Sequence, residues 1–303
     1  MTLSIIQQLT RPFRWLYGIL LHLFRWEPEV KFETFSVTNC GKVRPNNEDS
    51  LFISKTMPFY AVCDGMGGAS AGEVASSMMV EALEQELDAE NRGRENHDVT
   101  IIEAAKQVNS RIRGYISEHG LKAMGTTLVC LRIDPRCPKH GVVFHAGDSR
   151  AYRVRNNMVE QLTNDHSFAR KANVDESQLT LKQRNALTNA IGIGKTCYLE
   201  RSDIDVQVGD VYILCSDGLY KCVNNEELLR ACMAGVGMSA EELGQKLIQM
   251  ALDGGGRDNV SIVVVKVIML EVSRKVARNA TADMKRGELI DIGWQNSPTP
   301  HTT

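Results

Sequence analysis

Five short acidic signatures follow one another along this chain: Arg44-Pro45-Asn46-Asn47-Glu48-Asp49, Asp64-Gly65-Met66-Gly67-Gly68, Gly147-Asp148-Ser149-Arg150, Ser216-Asp217-Gly218 and Asp258-Asn259. Several end or adjoin a run of apolar, strand-like residues, so their carboxylates stand at the mouths of buried strands. A carboxylate in that position is costly to desolvate unless a cation or hydrogen-bond donors compensate it. One shared metal cluster is the economical explanation for so many repetitions. Hard divalent cations such as Mg2+ or Mn2+ take oxygen ligands, a few carboxylates and carbonyls together with retained waters. Asp64, Asp217 and Asp258 match that requirement in type, and Gly65 adds a backbone carbonyl that a side chain would otherwise crowd. Two such ions a few ångströms apart can bridge a water, lower its pKa and aim it at a phosphorus atom.

The elements that must position these groups alternate between strand-like and helix-like blocks from residue 32 to residue 267, as in one domain. Strands are predicted over 35–38, 51–54 and 59–63, with a turn near Met57-Pro58 joining the last two. Periodicity predicts helices over 71–88 and 101–119 around a polar loop at 91–98. Blocks at 126–133, 141–146, 150–154 and 159–162 then follow at hairpin-like spacing, which predicts antiparallel pairing. Strands over 204–206, 211–215 and 260–267 and helices over 226–234 and 240–252 complete the set. Runs of strands with two helix pairs argue for antiparallel sheets covered by helices, an α+β architecture, rather than a doubly wound parallel sheet.

With Met124-Gly125-Thr126-Thr127-Leu128 and Asp165-His166-Ser167 added, all five signatures match in identity and order the metal-dependent protein phosphatases of the protein phosphatase 2C type, particularly their bacterial members. The resemblance covers roughly residues 32–267. It implies a four-layer αββα sandwich of two antiparallel sheets flanked by helix pairs. It implies that Asp64 bridges two Mn2+ or Mg2+ ions, that the Gly65 carbonyl completes the first site, and that Asp217 and Asp258 hold the second ion. Glu48 and Asp49 would act mostly through coordinated waters, Asp148 with Asp217 would form a weaker third site, and Asn259 would support the Asp258 end. Arg44 would clamp the substrate phosphate, a task suited to a planar bidentate donor. The implied reaction is hydrolysis of a phosphomonoester by metal-bridged hydroxide without a covalent phosphoenzyme, in which Arg44, Asp64 and Asp217 carry the chemistry. Many eukaryotic members have His directly after the Asp-Gly pair, whereas this chain has Met66, which cannot donate a proton to the leaving oxygen.

The implied partners are phosphoserine and phosphothreonine proteins and a cognate protein kinase. Two other readings remain open on sequence: a catalytically weak phosphoprotein-binding scaffold, against which the full set of carboxylates argues, and a phosphatase of a small phosphorylated metabolite. With 35 Lys+Arg against 37 Asp+Glu, nothing global points to nucleic acid. The eight cysteines form no C-x-x-C pair, and Cys63, Cys130 and Cys215 fall in apolar runs, the pattern of buried reduced thiols and a cytoplasmic protein.

Residues 1–31 read as an amphipathic extension ahead of a domain at 32–268, and 269–303 as a polar, partly disordered tail. Within 11–26, Phe13, Leu16, Leu20, Leu23 and Phe24 make one helical face, and Arg11, Arg14, His22 and Arg25 the other. Such a helix fits the inner membrane interface, and it fits equally a stripe packed on this protein's own core or on a partner. Residues 165–200 are the least regular part of the domain, with a short helix expected over 181–190; the resemblance makes this a flap beside the site. His166 reads as a structural residue, Met66, Met78 and Met79 as packing residues, and Gly254-Gly255-Gly256 as a turn at the metal site.

Overall fold

The central strands of this protein are apolar on both faces because both faces are covered. Phe59, Ala61 and Cys63 of β3 (Phe59–Met66) pack under helices, while Tyr60 and Val62 between them face the opposite sheet. The computed structural model describes residues 30–269 except 68–70, 88–96, 135–136, 175–177, 181–182, 184–185 and 236. The expected amphipathic stretch at 11–26 and the tail after 269 lie outside the described residues. Val30–Ile268 forms a compact unit.

One sheet has the order β1-β11-β10-β7-β8, built from β1 (Val30–Asn39), β7 (Arg150–Arg155), β8 (Met158–Gln161), β10 (Val211–Cys215) and β11 (Val260–Met269). The other runs β2-β3-β5-β6-β9, from β2 (Asp49–Ile53), β3, β5 (Leu128–Ile133), β6 (His140–Ala146) and β9 (Glu200–Asp205), with the short β4 (Gly125–Thr126) on β3. Tyr60, Val62, Val129, Leu131 and Val143 meet Tyr212, Leu214, Val263 and Val265 between the sheets.

Helices α1 (Ala71–Leu87) and α2 (His97–His119) cover the second sheet; Ala75, Met79, Ala82 and Leu83 recur at helical spacing on the buried face of α1. On the other side α5 (Asn225–Ala234) and α6 (Ala240–Asp253) cover the first sheet. Both start in capping boxes, Asn224 with Glu227 and Ser239 with Glu242, which satisfy amides that have no partner inside the helix. The layers are therefore helix, sheet, sheet, helix, the α+β sandwich expected from sequence. Among the described residues no helix is long and apolar enough to cross a membrane.

Two local expectations change and one is refined. The antiparallel pairing expected of the four blocks from 126 to 162 is found, β5 with β6 and β7 with β8, and the chain between Ala146 and Arg150 crosses from one sheet to the other. Hairpin-like spacing does not distinguish a turn within a sheet from a corner between sheets. Helix α2 starts at His97, inside the stretch expected as loop. The helix expected over 181–190 does not extend over 186–190, where Leu187 bridges Ser167 and the Asn189 side chain bonds the Tyr198 backbone; a short helix of this region, α3 (Phe168–Ala172), is capped by Ser167.

Candidate functional site

The carboxylates arrive from both sheets at one end of the sandwich. Asp49 opens β2 and Asp64 lies near the end of β3, cross-strand neighbours in the β2–β3 ladder. Asp148 sits on the crossover between β6 and β7, Asp217 begins the one-turn helix α4 (Asp217–Tyr220) directly after β10, and Asp258 precedes β11. A cleft of about 200 Å³ is lined by Arg44, Glu48, Asp64, Gly65, Met66, Asp148, Asp217, Lys221, Asp258 and Asn259, among others. Of the expected site residues only Asp49 stands behind this wall. It is 8% exposed, and its Oδ2 accepts from Ser216 Oγ at 2.8 Å.

Backbone proximity explains the glycine at 65. A Cβ there would lie 2.1 Å from the Gly72 carbonyl oxygen and 2.4 Å from that of Glu48, while its N–H donates to the Glu48 carbonyl at 3.1 Å. No residue with a side chain permits this approach of β3, the Glu48 loop and α1. Asn259 clamps the same loop: its Nδ2 donates to the Cys40 and Asn46 carbonyls at 2.9 and 2.8 Å, and its Oδ1 accepts from Glu48 N at 2.9 Å. The turn containing Gly256 reinforces it, with Lys42 N donating to the Gly256 carbonyl at 2.7 Å.

The electrostatics are those of anions short of cations. Burial, reinforced by Asp49, Asp217, Asp148 and Asp258, pushes the Asp64 carboxyl well above the usual range. Burial pushes Asp49 up to about 7 against the hydrogen bonds from Ser261 and Ser216, and burial with Asp217 pushes Asp148 up to about 6. Asp217 is also raised, chiefly by burial and in spite of Lys221, and burial raises Glu48. Two cations oppose this. Arg44 Nη2 donates to Asp258 Oδ2 at 2.8 Å and Lys221 Nζ to Asp217 Oδ2. Arg44, expected on the substrate, thus rests on a carboxylate here. Five carboxylates against two cations among the described residues fit a hard divalent cation rather than a soft one.

Behind Asp148 lies a layer that sequence reasoning missed. Tyr220 Oη donates to Asp148 Oδ2 at 3.2 Å, the Arg150 guanidinium stacks 3.6 Å over the Tyr220 ring, and Arg150 is bonded to Asp165 through Nη2 at 2.6 Å. The signal for Tyr220 and Lys221 was present in the sequence: both sit within a turn of Asp217, where a one-turn helix returns them to the ligand face.

His145, His166 and Glu200 form a second constellation of metal-ligand type. Hydrogen-bond polarity makes it a strut instead. The Gly147 N–H and Asn189 Nδ2 both donate to His166 Nδ1, at 3.2 and 3.0 Å, so the ring proton lies on Nε2 and points at Glu200 Oε2, 3.2 Å away. A cation at Nε2 would have to displace that proton while Nδ1 remains committed as acceptor. His166 N also donates to the Gly147 carbonyl at 2.9 Å, so this residue fastens the crossover carrying Asp148 to the segment carrying Asn189. That is the structural role expected of it.

A family model described as Protein phosphatase 2C matches residues 42–252, a span holding Arg44, Glu48, Asp49, Asp64, Asp148 and Asp217. The serine/threonine protein phosphatase PstP of Mycobacterium tuberculosis is 36% identical over 235 residues, 75% of this chain and 43% of its own length, so the chain spans less than half of that relative. The serine/threonine phosphatase stp of Listeria welshimeri is 32% identical over 251 residues, 78% of this chain and 96% of its own. Among solved structures, the PstP catalytic domain in complex with 2 manganese ions superposes with TM-score 0.68 at 31% identity, covering 79% of this chain and 99% of that one. PppA, a regulatory component of the type VI secretion system in Pseudomonas aeruginosa, does so with TM-score 0.69 at 28% identity over 78% and 98%. With its carboxylates gathered at the end of a four-layer sandwich, and with these matches in sequence and fold, the chain belongs to the protein phosphatase 2C family.

Proposed function

We propose that this protein is a Mn2+- or Mg2+-dependent serine/threonine phosphoprotein phosphatase, a phosphoric monoester hydrolase. The observation that carries the reading is the convergence of Glu48, Asp64, Asp148, Asp217 and Asp258 on one cleft with Arg44 beside them. In this reading Asp64, the Gly65 carbonyl, Asp217 and Asp258 hold two ions, Asp148 serves an accessory third, and Glu48 and Asp49 act through water. When bound, the ions supply charge neutralisation and an acidified water nucleophile. Arg44 gives up the Asp258 carboxylate to bind and orient the substrate phosphate, whose equatorial oxygens suit its planar fork. Asn259 keeps the Glu48 loop in register with Asp258, and Ser216 and Ser261 hold Asp49. Met66 lines the cleft without a proton to donate.

The relatives' names support phosphoserine and phosphothreonine proteins as substrates; a cognate protein kinase that supplies them is part of the same proposal. Cysteines free of disulfides among the described residues support a reducing, cytoplasmic setting. In the same reading residues 11–26 make a peripheral membrane or partner contact. The test is hydrolysis of a phosphothreonine peptide with and without Mn2+, beside Asp64→Ala and Asp217→Ala. Phosphate release is expected only from the wild type with metal; equal release by the variants would sink the enzyme reading.

A further inference from the structure

Lys221 has no role in the chemistry described so far, yet it occupies the cleft. Helix α4 is a single turn, so residues 217 and 221 lie one above the other, and the Lys221 ammonium donates to Asp217 Oδ2. The Lys221 side chain is 46% exposed and that of Asp217 14%: the stem lies at the rim while the charge reaches inward. Its field also bears on Asp148 and Asp258. Among the described residues, Arg44 and Lys221 are the two cations of the cleft lining, against the carboxylates of Glu48, Asp64, Asp148, Asp217 and Asp258. Each of these cations sits on a carboxylate assigned above to direct metal binding, Arg44 on Asp258 and Lys221 on Asp217. Arg44 has a second task at the substrate. Lys221 sits at the contested position, because an ammonium and a divalent cation cannot share the same carboxylate oxygen.

We propose that Lys221 is a tethered counter-ion of the metal site, neutralising Asp217 before loading and yielding to the incoming divalent cation, so that it sets the affinity of the site for metal. The proposal rests on the metal-dependent reading above. Without Lys221 the cleft loses one of the two cations that its described residues set against five carboxylates. The empty site then becomes less stable and its hold on a cation stronger. Removing a side chain that only buttressed α4 would lower stability without strengthening the hold on a cation.

Calorimetric titration of the full chain with Mn2+, with melting curves in EDTA, compares wild type, Lys221→Met and Lys221→Arg. The Met variant is expected to bind Mn2+ about tenfold more tightly or better, as for removal of one partly screened charge. It should melt below wild type in EDTA and recover in saturating Mn2+, while the Arg variant follows wild type. A second measurement uses the unaltered protein and stands even if the Met variant does not fold: amine labelling of Lys221, read by mass spectrometry, should rise on adding Mn2+. Unchanged or weaker Mn2+ binding by the Met variant, or labelling indifferent to Mn2+, overturns the proposal. Wild type that binds Mn2+ but releases no phosphate would overturn the phosphatase reading alone, and wild type that binds no Mn2+ would overturn both.

Discussion

Asp49 is a buried residue behind the cleft wall, and its pH behaviour should report on the whole cluster. In the unfolded chain Asp49 and Asp148 titrate near 3.8; in the fold burial pushes them to about 7 and about 6. A carboxyl whose folded value is raised adds stability below its unfolded value and loses it as pH rises through the folded one. In EDTA, therefore, the melting temperature should increase as pH is lowered from about 8 to about 5. Saturating Mn2+ should reverse the slope, because ligand oxygens must be deprotonated to bind. A flat or falling EDTA profile toward acid would contradict this account of the site. The carboxylates themselves were legible in the sequence, since an Asp at the end of an apolar run has few bland explanations. Of the two cations that rest on them, Arg44 stood in a recognisable motif, whereas the signal for Lys221 was only its spacing of four residues from Asp217, which α4 turns into an ion pair.

At the scale of elements, the clearest dependence is that of the segment after Ile191 on helix α2. Asn109, 3% exposed on α2, accepts from Gly192 N at 2.7 Å and donates to the Gly194 and Lys195 carbonyls at 3.3 and 3.4 Å. Its replacement by Ala leaves those backbone groups without their side-chain partner. A loss of about 1–3 kcal/mol is expected, read by denaturant unfolding, with faster amide exchange concentrated at 192–195. Uniform exchange across the sandwich would instead mean that Asn109 supports only α2. No periodicity announces such a residue, because a polar position on a buried helical face looks like a flaw until its partners are known. The same holds for residues 186–190 of the helix expected over 181–190: local propensity favoured it there, and the bridges of Leu187 to Ser167 and Ile191 to Thr126 take up the chain instead. By contrast α5 and α6 lie where caps and apolar spacing put them, since those signals are local.

For the whole molecule, a cation that bridges Asp64 at the end of β3 and Asp217 after β10 would join one sheet to the other. Mn2+ should therefore raise the melting temperature of the full chain, by about 2.7 kcal/mol of added stability at a hundred times its dissociation constant. Asp64→Ala should abolish the gain; a gain that survives it would place the stabilising ion elsewhere. What the sequence by itself determined is the inventory and its order: the acidic signatures, the apolar strand-like runs that they end or adjoin, and helix pairs to cover them. These follow from composition and short-range periodicity, which a linear pattern records. Only the tertiary structure decided that the chain changes sheets at Asp148, that His166 and Tyr220 hold that corner, and that Arg44 and Lys221 rest on two of the carboxylates. Those facts depend on which strands become neighbours and on how charges share one desolvated cleft, and neither is a property of any short stretch of chain.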